Sequence, residues 1–137
     1  MDEALKREIW ERAQSRCEYC HIPASAYQTP FQIDHVIARK HHGETVSENL
    51  ALACYRCNMY KGPNIAGIDP ETKLTTSLFH PRRDRWSDHF ERGASGMMVG
   101  RTAVGRTTIA VLDLNEPGVV ALRASLAGLG EMVREVD

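Results

Sequence analysis

The chain has 137 residues, with 17 basic against 18 acidic side chains and a formal net charge of −1. That length fits one domain, or one small domain with an appended segment. The charge balance excludes a generally basic nucleic-acid coat, so any nucleic-acid contact must rest on local groups. No apolar run is long enough to span a membrane, and none is expected to bind one. The charged N-terminus, MDEALKREIWER, lacks the apolar stretch and small-residue cleavage site of a secretory leader, so the expected location is cytoplasmic.

In chain order, residues 3–16 read as an amphipathic helix, with Leu5, Ile9, Trp10 and Ala13 on one face. Pro23 and Pro30 bracket a loop around Tyr27. Phe31 to Val36 alternates as a strand. His41 to Thr45 is turn-like, with His41 and His42 expected to be exposed. Leu50 to Ala53 reads as a second strand. A short helix follows from about Tyr55 to Lys61, stopped by Gly62 and Pro63. Residues 63–81 read as an ordered loop with short extended pieces. Met97-Met98-Val99 suggests a strand. Thr102 to Leu114 reads as a helix capped by Thr102, although the β-branched run Thr107-Thr108-Ile109 argues the other way. A last helix is expected over 117–135.

Four cysteines form two doublets, Cys17–Cys20 in CEYC and Cys54–Cys57 in CYRC. A thiolate pair at this spacing closes on one ion, and two pairs complete a tetrahedral structural Zn2+ site with no position left for water. In a reducing compartment such spacing favours metal over disulfides.

Between the doublets stand Asp34-His35 and Asn49, and Asn58 follows the second doublet directly. Asp34 offers a carboxylate and Asn58 a carbonyl oxygen, which suit a hard ion such as Mg2+ or Mn2+. His35 is near neutral at physiological pH, as a general base should be. Adjacent strand residues point to opposite sides, so Asp34 can face an ion while His35 faces water. Each has a plainer reading, since Asn49 and Asn58 could simply cap turns.

Taken together, Cys-x-x-Cys, Ile-Asp-His, Asn-Leu and Cys-x-x-Cys-Asn-x-x-Lys-Gly resemble the HNH endonucleases, ββα-metal nucleases with zinc-knuckle support. The motif region spans Cys17 to Gly62. The segment from Leu78 to Phe90 resembles one that follows the motif in a bacterial branch of the family. The resemblance implies an α+β fold: a treble-clef-like ββα-metal core with a structural zinc, an N-terminal helix and a mainly helical C-terminal extension. It implies that His35 is the general base, that Asp34 and Asn58 hold the catalytic ion, and that Asn49 fixes the base-bearing loop. It also implies DNA as the substrate, with RNA a weaker candidate, and products carrying 5′-phosphate and 3′-hydroxyl ends. Asn58 stands where the family name calls for histidine, which should favour Mg2+ or Mn2+ over zinc.

The expected organisation is a nuclease domain over 1–93 and an extension over 94–137 packing on it. Candidate phosphate contacts are Arg39, Lys40, Arg56, Lys61, Arg82, Arg83 and Arg85. The last three alternate with Asp84 and Asp88, so a salt-bridged surface is an equal reading. Trp10 and Trp86 are expected in the core, and His80 and His89 in packing or hydrogen bonding. The rival functional reading is a catalytically silent, zinc-supported module that binds nucleic acid or protein. Oligomeric state, sequence specificity and pathway are not legible.

Overall fold

A computed structural model of the chain describes residues 1–130. The expected end of the last helix, at 135, lies outside the described residues. The chain divides into two compact units: Met1–Ile65 with His80–Arg83, and Ala66–Phe79 with the chain from Asp84 onward. Residues 66–79 and 84–93, grouped by sequence with the nuclease region, therefore fall in the second unit.

The first unit begins with α1 (Glu3–Arg12), capped by Asp2, whose carboxylate accepts from the Leu5 amide at 2.8 Å. The helix is shorter than expected. Gln14 and Ser15 both adopt left-handed dihedrals and reverse the chain, so that the Cys17 amide donates to the Ile22 carbonyl at 3.0 Å. This reversal makes the first knuckle. Two antiparallel strands follow, β1 (Gln32–His35) and β2 (Leu50–Ala53), in the register Gln32↔Ala53, Ile33↔Leu52, Asp34↔Ala51 and His35↔Leu50. β2 is buried at every position. Next comes α2 (Tyr55–Lys61), with the Cys54 sulfur accepting from the Cys57 amide at its start and Gly62, at a φ of 50°, ending it. This is a ββα order. Ile9, Ala13, Tyr19, Ile22, Phe31, Val36, Leu50 and Leu52 form its core. Arg12 fastens α1 to the start of β2 by donating to the carbonyls of Ser47 at 3.1 Å and Leu50 at 2.7 Å.

Among the described residues, the second unit contains two small hairpins and three α-helices. β3 (Ala66–Ile68) pairs with β4 (Thr75–Ser77), and β5 (Phe90–Arg92) with β6 (Met98–Gly100), both antiparallel. α3 (Trp86–His89) precedes β5, and α4 (Ala103–Val111) and α5 (Pro117–Gly128) close the unit. Thr102 caps α4 as its sequence suggests, accepting from the Gly105 amide at 3.1 Å. The β-branched run stays helical because Thr108 donates back to the Val104 carbonyl at 2.7 Å and accepts from the Phe79 amide at 2.9 Å. Phe79, Trp86, Phe90, Met98, Leu112, Leu114 and Val119 supply the core. Among the described residues, no helix is long and apolar enough to cross a membrane.

Candidate metal centres and catalytic hairpin

The four cysteines converge although 34 residues separate Cys20 from Cys54. Their sulfurs all lie within 4.8 Å of one another, and the Cys20 and Cys54 sulfurs are 3.9 Å apart. A tetrahedral zinc with bonds of about 2.3 Å has sulfur–sulfur edges of about 3.8 Å. Each knuckle also aims a backbone amide at its first sulfur, Cys20 N at Cys17 Sγ (3.5 Å) and Cys57 N at Cys54 Sγ (3.4 Å). All four side chains are buried. Hydrogen bonds among the sulfurs, led by Cys17, hold the Cys54 thiol far below its ordinary range and push Cys20 and Cys57 well above theirs. The cluster cannot carry four negative charges alone. A divalent, sulfur-seeking ion bound there would supply the missing positive charge, so the donor set fits zinc.

On β1, Gln32 and Asp34 share one side and Ile33 and His35 the other, by strand alternation. α2 meets the first side. Its Asn58 donates to the Gln32 side-chain oxygen, and Lys61, one turn on, reaches the Asp34 Oδ2 at 3.2 Å. The Tyr19 hydroxyl donates to the same oxygen at 2.7 Å. Asp34 is thus 6 % exposed and Lys61 1 %. Burial pushes the Asp34 carboxyl up, against the opposing pull of Lys61 and Tyr19. Tyr19 is itself pushed well up by burial and by the Asp34 charge.

These contacts leave specific atoms for a hard ion. Both hydrogen-bond partners of the Asp34 carboxylate fall on Oδ2, and Asn58 engages Gln32 through its amide nitrogen. Asp34 Oδ1 and Asn58 Oδ1 are the oxygens that remain, and their chemistry fits magnesium or manganese.

His35 ends β1. Its Nε2 lies 2.9 Å from the Thr45 hydroxyl. Partial burial, then the Arg39 charge, lower its pKa below the ordinary histidine value. Asn49 is buried and uses its whole amide on backbone: Oδ1 accepts from Ile37 N (2.9 Å), while Nδ2 donates to the carbonyls of Ile37 (3.0 Å) and Glu44 (2.9 Å). That clamp closes the loop carrying Thr45 back to the end of β1. The loop passes so close to itself that a Cβ on Gly43 would lie 1.6 Å from the Ile37 carbonyl oxygen.

Two of the candidate phosphate contacts are engaged within the protein. Lys61 is buried against Asp34, because its ammonium neutralises that carboxylate. Arg82 is paired with the buried Glu18, whose other oxygen accepts from the Leu52 amide at 2.9 Å. Arg39, Lys40, Arg83 and Arg85 are exposed, and Arg56 is half-buried over the Tyr60 ring, 5.0 Å from its centroid. His41 and His42 are exposed. His80 Nδ1 accepts from the Arg82 amide at 3.1 Å, and His89 Nδ1 lies 2.7 Å from the Thr102 hydroxyl. Trp86 is buried, whereas Trp10 is half-buried, with its ring centroid 6.2 Å from that of Phe31.

Sequence reasoning missed Tyr19, Thr45, Glu18 and Gln32. Tyr19 and Glu18 sit inside the first doublet, where the cysteines draw attention away from them. The partners that give all four meaning are distant in sequence.

No curated protein and no solved structure matches the chain. Residues 17–64 do match the family model described as HNH endonuclease. From the first knuckle cysteine to just past α2, the chain is therefore similar to the HNH endonuclease family.

Proposed function

We propose that this protein is a metal-dependent endonuclease that hydrolyses DNA phosphodiester bonds. The observation that carries the reading is the state of His35: neutral at physiological pH, held through one ring nitrogen by Thr45, and next in sequence to a carboxylate on the other side of β1. With Nε2 engaged by Thr45, Nδ1 is the nitrogen that takes the proton of the attacking water. Asn49 keeps the loop, and so Thr45, in place. Asp34 Oδ1 and Asn58 Oδ1 would hold the divalent ion. That ion, when bound, supplies Lewis-acid stabilisation of the phosphoryl oxygen and the leaving oxygen. Lys61 and Tyr19 keep the Asp34 carboxylate oriented. The four cysteines would bind one structural zinc and hold both ends of the hairpin.

The test is plasmid nicking with magnesium or manganese. His35→Ala should lower the cleavage rate by ~10²–10⁴-fold, the usual worth of a general base, with fold and zinc content unchanged. A mutant cutting at the wild-type rate removes His35 as the base.

A second reading has one observation in its favour. Asp34 is buried and paired with an ammonium, as in a structural ion pair, and the domain would then be a silent, zinc-supported binding module. Under that reading the unaltered chain nicks no plasmid with any divalent ion but still binds DNA or protein.

A further inference from the structure

A recess of about 190 Å³ lies on the first unit, lined by Tyr27, Thr29, Tyr55 and Arg56. Its walls come from the two segments that carry the candidate site. Tyr27 and Thr29 belong to the loop entering β1, and Tyr55 and Arg56 to the first turn of α2. Tyr55 and Asn58 are three residues apart on α2, which makes them neighbours on one face, separated by about 4.5 Å of helix rise. Tyr55 is 48 % exposed, so its ring face is open to a ligand. The Tyr27 ring is fixed from behind by Phe31, with centroids 6.2 Å apart. Two phenol rings, a guanidinium and a hydroxyl are the side chains that stack on a base and hold its phosphate. The volume falls below the roughly 300–1,000 Å³ of drug-sized sites, so it suits one ring system.

We propose that this recess is a nucleobase subsite beside the cleavage centre, taking one unpaired base that flanks the scissile phosphate. It rests on the endonuclease reading for its place in the reaction, and it makes the enzyme prefer DNA with an unstacked nucleotide at the cut. Tyr55 supplies the stacking face, and Arg56 with Thr29 the contacts to the adjoining phosphate.

The experiment measures binding of the full chain, carrying His35→Ala so that DNA stays intact, to a duplex with a single-nucleotide bulge. The comparison duplex has an abasic residue in the bulge. Stacking on one aromatic residue corresponds to roughly 5–150-fold in affinity, so the base-bearing bulge should bind about tenfold tighter. Tyr55→Ala should erase that preference and Tyr55→Phe keep it, with zinc content and melting temperature as controls. Arg56→Gln should weaken both duplexes together and lower the salt dependence. Equal affinity for the two duplexes overturns the proposal, as does a Tyr55→Ala effect of the same size on both. Cleavage by the chain with His35 intact is scored separately. Base-dependent binding without cleavage sinks the nuclease reading alone, and cleavage without base dependence sinks the subsite alone.

Discussion

At the scale of single residues, the pairing of Lys61 with Asp34 decides the most. A lysine that is 1 % exposed is tolerated only when its ammonium is matched, and Asp34 Oδ2 is the charge that matches it. Removing one member of such a pair leaves the other uncompensated. Lys61→Met should therefore destabilise the first unit by about 3–5 kcal/mol, and adding Asp34→Asn should recover most of the loss. Denaturant melts of the two variants check this; no recovery in the double variant means the pair is not the cause. His35 gives a pH prediction. Its folded pKa is lowered, so the imidazole stays neutral to below the ordinary value of 6.5. If His35 is the base, as proposed, cleavage needs that neutral form, which places the acid limb of the rate below pH 6.5. A divalent cation nearby pushes in the same direction. Arg39→Ala should move the limb up, and a pH profile of kcat/KM on both proteins reads it. Asp34, His35, Asn49 and Asn58 stood out in the sequence because they lie between the cysteine doublets or directly after the second. The burial of Lys61 was not, because lysine is normally exposed and only the packing of α2 on β1 reveals its partner.

At the scale of elements, the loop between β1 and β2 does the positioning. Asn49 ties Ile37 and Glu44 together, and Gly43 permits the close pass between them. Gly43→Ala would drive a Cβ into the Ile37 carbonyl oxygen and to 2.9 Å from the Asn49 amide nitrogen. The loop must then open and carry Thr45 away from His35. A misplacement of about 1 Å in a catalytic group costs on the order of 10²-fold, and cleavage should fall by about that much while zinc content stays the same. Unchanged cleavage in Gly43→Ala would show that the loop does not position His35. β1 was readable from alternation, β2 from a short apolar run, and α2 from the Gly62-Pro63 stop. The C-terminal end of α1 was less so, since the left-handed Gln14 and Ser15 follow from the knuckle's path and not from any glycine. The β3–β4 segment was read as an ordered loop with short extended pieces, but their pairing was not seen. What orders it is remote: Asp69 at its turn accepts from the Thr72 hydroxyl and the Glu71 amide, and Arg106 on α4 clasps the same carboxylate at 2.9 and 3.1 Å.

At the scale of the whole molecule, the cysteine cluster and the core of each unit bear on stability. The first unit spends four buried cysteines on one cluster, and without an ion those thiols contribute little. Structural zinc in small domains carries apparent free energies of about 10–16 kcal/mol. Stripping it should melt β1, β2 and α2, while amide protection in α4 and α5 persists, since those helices pack on a core of their own. Hydrogen exchange before and after zinc removal checks the expectation; β1 and β2 amides that stay protected would show that the metal does not hold the hairpin.

The path of the chain carries one more consequence. Residues 80–83 rejoin the first unit, and Arg82 there neutralises Glu18, which is buried between the first two cysteines. The segment that matches the family therefore borrows a cation from outside its own limits. Trimmed at residue 65, it would keep the four cysteines, Asp34, His35 and Asn58 yet strand a carboxylate inside its knuckle. The domain is not a cassette to be lifted out and grafted elsewhere at the motif's edges. A transplant has to bring Arg82 with it, or replace Glu18 by a neutral side chain that still accepts from the Leu52 amide.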